Sequence, residues 1–117
     1  MSYDISLNDP ITGEVLLLDT PHQMKGGTYC IGGTREMTLN ITYNYSDSYE
    51  LLGEEGIRTI YGMTGAESIP VLRKVTEQLG DDVSDNYWAA TEGNAKAALL
   101  KLIALAEMRP DGVWSGD

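Results

Sequence analysis

The sequence predicts an α+β fold: an antiparallel sheet of three to four strands from the N-terminal half, packed by two to three helices from the C-terminal half. Three observations lead there. Apolar and polar residues alternate through the early strands, apolar residues recur at helical spacing beyond residue 68, and the two patterns do not interleave. Strands followed by helices favour a layered α+β arrangement over a βαβ unit. A length of 117 residues without an internal repeat or a convincing linker fits one domain over 1–117.

Taken in order, Tyr3, Ile5 and Leu7 alternate with polar neighbours, and Asn8-Asp9-Pro10-Ile11-Thr12-Gly13 supplies dense turn chemistry. Glu14 to Leu18 follows as an apolar run, so the two segments read as a β-hairpin with a long loop. Between Gly26-Gly27 and Gly32-Gly33, Thr28 to Ile31 reads as a short strand. The clearest strand places Met37, Leu39, Ile41, Tyr43 and Tyr45 on one face and Thr38, Asn40, Thr42 and Asn44 on the other. One buried and one wet face are the mark of an antiparallel sheet.

Helical signals come next. Asp47 and Glu50 form a capping-box pattern, and Gly53 and Gly56 weaken any helix that continues past them. Thr64 and Glu67 form a second such pattern, but it would put Pro70 inside the helix. Ser68 as N-cap avoids that conflict, with Val71, Leu72, Val75 and Leu79 as the apolar stripe and Gly80 as the stop. Thr91 caps the last helix, whose buried stripe is Ala95, Ala98, Leu99, Leu102, Ile103 and Ala106. Pro110-Asp111-Gly112 ends it and leaves a short tail carrying Trp114.

Charge is the most informative bulk property. Eighteen acids against eight bases give a net charge of −10. The excess concentrates in two runs free of bases, Asp47, Glu50, Glu54 and Glu55 in one and Glu77, Asp81, Asp82, Asp85 and Glu92 in the other. Such a surface repels nucleic acid phosphates, which argues against direct nucleic acid binding, and it attracts and steers a basic partner. Acids also keep a small protein soluble, and that plainer reading accounts for much of the excess. The absence of a charged and apolar leader and the presence of only one cysteine point to the cytoplasm. The longest apolar stretch, Ala97 to Ala106, is broken by Lys101 and is too short for a bilayer.

No catalytic constellation stands out. The only histidine, His22, sits in a connection. The only cysteine, Cys30, reads as a buried inert thiol in an apolar strand, so a Cys30–His22 pair is disfavoured. No clustered zinc set, calcium loop or phosphate-binding fingerprint occurs, and no cofactor is implied. Thr91-Glu-Gly-Asn94 offers free N–H groups to an anion, but Glu92 opposes one, so ordinary capping explains it.

Several stretches together carry a resemblance: Gly26-Gly-Thr-Tyr-Cys-Ile-Gly-Gly33, Leu39-Asn-Ile-Thr-Tyr-Asn-Tyr-Ser46, Gly56-Ile-Arg-Thr-Ile-Tyr-Gly-Met-Thr-Gly-Ala-Glu-Ser68, and Tyr87-Trp-Ala-Ala-Thr-Glu-Gly-Asn-Ala95 with Arg109-Pro-Asp-Gly-Val-Trp114. They resemble small proteins carried by bacterial prophages and other mobile elements. The resemblance implies an accessory protein, some of which block host defence enzymes by occupying their nucleic-acid channels, and it brings no site residues.

Two functional expectations follow. The first is a non-enzymatic acidic protein that docks on a basic or nucleic-acid-binding host protein through Asp47, Glu50, Glu54, Glu55, Asp81, Asp82 and Asp85. The second is a protein that binds a small, nucleotide-like molecule, or a small enzyme. Its pocket would lie between sheet and helices near Tyr43, Asn44, Tyr45, Tyr61, Trp88 and Asn94.

Overall fold

A computed structural model of the chain describes residues 1–28 and 30–117. The described elements run β1 (Ser2–Asn8), β2 (Leu17–His22), β3 (Thr34–Glu36), β4 (Thr38–Thr42), α1 (Ser46–Tyr49), α2 (Gly65–Gln78), α3 (Glu92–Met108) and β5 (Val113–Gly116). Short 3₁₀ turns flank α1 and fill Gly56–Ile60. The fold is α+β: an antiparallel sheet in the order β4-β1-β5 packs against the helices, and β2 and β3 form a separate two-stranded ribbon.

Alternation explains the sheet. Tyr3, Ile5 and Leu7 of β1 are buried beside Leu39 and Ile41 of β4, with Tyr3 opposite Ile41 and Ile5 opposite Leu39. The intervening residues place Ser2, Asp4 and Ser6 opposite Thr42, Asn40 and Thr38 on the other face. On the core side, Leu72 and Val75 of α2 and Ala95, Ala98, Leu99, Leu102, Ile103 and Ala106 of α3 are all buried. Each large aliphatic side chain removed from water contributes about 1.5–3 kcal/mol. Gly65 lets α2 approach the end of α3, because a Cβ there would lie 3.0 Å from the Arg109 carbonyl oxygen and 3.1 Å from Pro110 Cα.

Several local expectations change. The turn at 9–13 does return the chain, with Leu16 N–H donating to the Leu7 carbonyl at 3.0 Å, but the following strand is β2 and pairs with β3 instead of β1. Leu7 N–H turns to the Met37 carbonyl and Met37 N–H to the Leu16 carbonyl, so residues 7, 16 and 37 meet where sheet and ribbon join. No strand forms at Thr28, Cys30 or Ile31 (Tyr29 lies outside the described residues), and Cys30 is exposed instead of buried. With paired glycines on either side, that segment loops out where a strand would have to pair.

The long alternation after Met37 also stops early. Thr42 accepts from Asn44 N–H through its hydroxyl and turns Tyr43–Tyr45 into a 3₁₀ helix. Tyr45 stays buried, so the burial signal continues after the strand has ended. Asp47 caps nothing, because it falls inside α1.

The N-terminus of α2 is set by Thr64 and not by Ser68. Thr64 Oγ1 accepts from Glu67 N–H at 3.1 Å while Glu67 Oε1 accepts from Thr64 N–H at 2.9 Å. This reciprocal pair satisfies two backbone donors, whereas Pro70 forfeits one helical bond on an exposed side of the helix. Ser68 is thereby drawn into the core. Its hydroxyl donates to the Gly65 carbonyl at 2.8 Å and accepts from Trp114 Nε1 at 2.7 Å. Trp114 belongs to β5, not to a loose tail, and faces Leu7 across the sheet with 1% of its surface exposed.

Both margins of the sheet are covered. Along β5, Trp114 N–H donates to the Met63 carbonyl and Gly62 N–H to the Trp114 carbonyl, both at 2.9 Å. Along β4, Gly27 N–H donates to the Asn40 carbonyl at 3.0 Å and Thr42 N–H donates to the Tyr87 hydroxyl at 3.1 Å. Covered margins remove the template on which stray strands pair. No helix among the described residues is long and apolar enough to cross a membrane.

Among the described residues the Ser68 hydroxyl alone accepts from the Trp114 indole, so Ser68→Ala leaves a buried donor unpaired. Chemical denaturation of that variant is expected to show a loss of about 1–3 kcal/mol. Thr64→Ala, which loses only an exposed cap, is expected to lose about 1 kcal/mol.

Candidate functional site

The segment 80–91 joins α2 to α3 and has no regular structure of its own, so its shape rests on side chains. Asn94, in the first turn of α3, organises it. Its backbone N–H is held by the capping Thr91 hydroxyl at 3.1 Å. Its side chain then meets three backbone groups of the loop: Oδ1 accepts from Ser84 N–H, and Nδ2 donates to the Asn86 and Ala89 carbonyls, all at 3.0 Å. Asn94 is buried and committed to these bonds, so it staples the loop.

The acids of the loop divide by role. Asp82 Oδ1 accepts from Gly93 N–H at 3.1 Å, satisfying a free donor at the start of α3, where a negative charge is also favoured by the helix dipole. Gly93 is required there, because a Cβ would come within 2.6 Å of the Asp82 and Val83 backbone. Asp81 pairs with Lys96 at 2.7 Å, and Glu92 Oε1 accepts from Gly80 N–H at 2.8 Å. Asp81 and Asp82, expected as partner-binding charges, are therefore tied into the loop's own structure. Asp85 is exposed and carries no such bond.

Tyr87 is the residue that sequence reasoning passed over. Its hydroxyl accepts from Thr42 N–H and reaches the Asn40 carbonyl at 3.4 Å, which docks the loop on the margin of β4. Tyr45 donates its hydroxyl to the Tyr87 carbonyl, and the two rings meet edge-on with centroids 5.6 Å apart. Asn44 Nδ2 donates to the Trp88 carbonyl at 2.9 Å. An aromatic residue inside an otherwise polar, acidic loop was the available signal.

These contacts hold Trp88 outward. Its ring packs edge-on against Tyr87 at 4.9 Å, its backbone N–H donates to Asn86 Oδ1 at 3.1 Å, and 51% of its surface remains exposed. The other acidic run begins on the segment that touches Trp88. Asp47, Glu50, Glu54 and Glu55 are all exposed on the short helical turns after Asn44, and none joins the three ion pairs found among the described residues. The structure thus brings Asn44, Tyr45, Trp88 and Asn94 into one assembly, and the first acidic run follows Asn44 along the chain.

Tyr43 and Tyr61 lie in a different cluster. Arg58 sits over the rings of Tyr3 and Tyr43, 5.0 and 5.7 Å from their centroids, and donates to the Tyr43 hydroxyl at 3.2 Å and the Asp117 carbonyl at 2.8 Å. The Tyr61 hydroxyl is buried without a partner among the described residues. Of the six residues expected at a pocket between sheet and helices, Tyr45 and Asn94 line a cavity of about 190 Å³ between β4, the 83–87 loop and α3.

The imidazole of His22 is occupied. His22 Nδ1 accepts from Met24 N–H at 3.3 Å, which fixes the proton on Nε2, and Nε2 donates to the Glu36 carbonyl at 2.7 Å. Both ring nitrogens would have to give up backbone bonds before serving as a base for Cys30. Among the described residues, no group of three or more His, Cys, Asp and Glu side chains is placed to hold a metal ion.

Burial pushes the Tyr45 and Tyr61 hydroxyls up to about 12, and Tyr49, whose hydroxyl donates to the Ala95 carbonyl at 3.0 Å, well above its ordinary value. A group that holds its proton more tightly when folded lends its full stabilisation below its unfolded pKa of about 10 and loses it as pH rises towards 12. Ultraviolet absorbance titration is expected to show these tyrosines ionising above the ordinary range, with stability falling across that interval. Asn94→Ala is expected to speed amide exchange at Ser84 and Trp88 while the sheet amides stay protected, with a stability loss of about 1–3 kcal/mol. No family model, no characterised protein and no solved structure matches the chain.

Proposed function

We propose that the chain is a non-catalytic acidic binding protein that docks on a basic, nucleic-acid-binding host protein. In the sharper form of this reading, a phage or mobile element carries it, and its carboxylates compete with a phosphate backbone for the channel of a defence enzyme. The association with mobile elements rests on the resemblance of sequence stretches alone.

One observation carries the docking reading. Asp47, Glu50, Glu54 and Glu55 form a run of exposed carboxylates outside every ion pair of the described residues, on the segment that follows Asn44, whose side chain bonds the carbonyl of half-exposed Trp88. Aromatic side chains anchor interfaces when neighbouring groups exclude water around them, and a charged rim steers the encounter. Side chains already paired with lysine or arginine would contribute little to such a field. These four are free to act outward.

The structure also chooses the right variants. Reversing Asp81 and Asp82 would break the Lys96 pair and the cap on Gly93, so loss of binding there would report on folding as well as charge. Reversing Asp47, Glu50, Glu54, Glu55 and Asp85 to Lys touches none of those bonds. Capture from host lysate by the parent chain is expected to retain a basic nucleic-acid-binding protein that high salt or excess duplex DNA displaces. The fivefold reversal and Trp88→Ala are each expected to lose most of that capture with unchanged circular dichroism. Equal capture by the folded fivefold variant would sink the reading.

A further inference from the structure

The polar face of the sheet is partly covered by other parts of the chain. The connection between β2 and β3 folds over it, closing at its neck where a Cβ on Gly33 would meet the His22 carbonyl oxygen at 2.4 Å, and seated on β4 by the Gly27–Asn40 bond. Together they border a half-open cleft of about 680 Å³, and none of the described residues that line it belongs to a helix. Small-molecule sites typically span roughly 300–1,000 Å³. The Trp88 ring lies against Gly27 beside this space and is not among the described residues that line it.

Its floor comes from two cross-strand pairs, Asp4 with Asn40 and Ser6 with Thr38. Asp4 Oδ1 accepts from Asn40 Nδ2 at 2.6 Å, leaving the second carboxylate oxygen without a partner among the described residues. Among the described residues, the hydroxyls of Ser6 and Thr38 and the amide of Gln23 on the facing wall have no side-chain bonds either. Half-buried Met24 adds an apolar patch. His22 holds up the wall with both ring nitrogens bound to backbone. Lys25, also in the lining, has interactions of its own.

That set of groups selects by charge and by hydrogen bonding. An anion would meet the exposed Asp4 carboxylate as a like charge, while Lys25 in the same lining has interactions of its own. An alkyl molecule would strip water from Ser6, Thr38 and Gln23 without replacing its hydrogen bonds. A molecule rich in hydroxyls can donate to Asp4 and both donate to and accept from the two floor hydroxyls. We infer that this cavity binds an uncharged, hydroxyl-rich small molecule about the size of a nucleoside or a disaccharide.

The test is a titration of the full isotope-labelled chain, followed by amide chemical shifts, with uridine, maltose and uridine monophosphate as probes. Saturable shifts confined to β1, β4 and residues 22–34 are expected with a neutral probe, and the arm that responds separates nucleoside from saccharide. Uridine monophosphate is expected to bind about tenfold more weakly than uridine. Thr38→Phe, which fills the cavity from its floor, is expected to abolish the shifts. Thr38→Val keeps the shape and removes one hydroxyl, so a severalfold loss of affinity is expected there even where the bulkier variant does not fold. Absence of saturable shifts with both neutral probes, shifts that map elsewhere, or tighter binding of the monophosphate would overturn the assignment.

Discussion

A strand at the margin of a sheet exposes a row of backbone groups that must find partners, and in this molecule a tyrosine hydroxyl supplies one. Tyr87 accepts from Thr42 N–H on the open side of β4, while Gly27 N–H takes the neighbouring Asn40 carbonyl. The 80–91 loop and the Gly26–Gly27 stretch after β2 are thereby fastened side by side to the same strand. The outward position of Trp88 and the roof of the large cavity both descend from that attachment. Without it, the loop held by Asn94 would have a fixed shape but no fixed place on the body.

The chain uses tyrosine where many proteins use phenylalanine, which it lacks altogether. Tyr45, Tyr49 and Tyr87 each join ring burial to a directed hydroxyl bond, so packing and attachment come from one side chain. Tyr61 is the exception, with its ring packed against the end of β5 and its hydroxyl unsatisfied. The energetic consequence is a core that is rigidly specified but carries ionisable groups, so alkaline conditions act on its interior as well as its surface.

Much of the scaffold was legible in the sequence because the signals were periodic. The alternation of Tyr3, Ile5 and Leu7 and of Leu39 and Ile41 marked β1 and β4, and the spacing from Ala95 to Ala106 marked α3. What stayed hidden was non-local. β5 has four residues and owes its existence to pairing with β1, at the far end of the chain, which no window around Trp114 contains. Pro70 argued against a helix beginning at Thr64, yet the reciprocal cap outweighs one missing bond. In the candidate site, seven acids looked alike on paper. Only coordinates separate Asp82, which caps a helix, from Glu54, which touches no base. The same limit hid Tyr87, since nothing local reveals that its hydroxyl will meet β4.

Gly26 and Gly27 sit so close to β4 that any larger residue at 26 would collide with the Asn40 carbonyl, where a Cβ would fall within 1.7 Å. The 23–33 connection is thus moored by main chain at this point, while Thr28, Cys30 and Ile31 beyond it are exposed. Anchorage and rim chemistry are consequently decoupled. Evolution or a designer can rewrite the rim to change what the cavity admits while the underlying frame keeps its shape, much as a hinge outlasts many repaintings of its door.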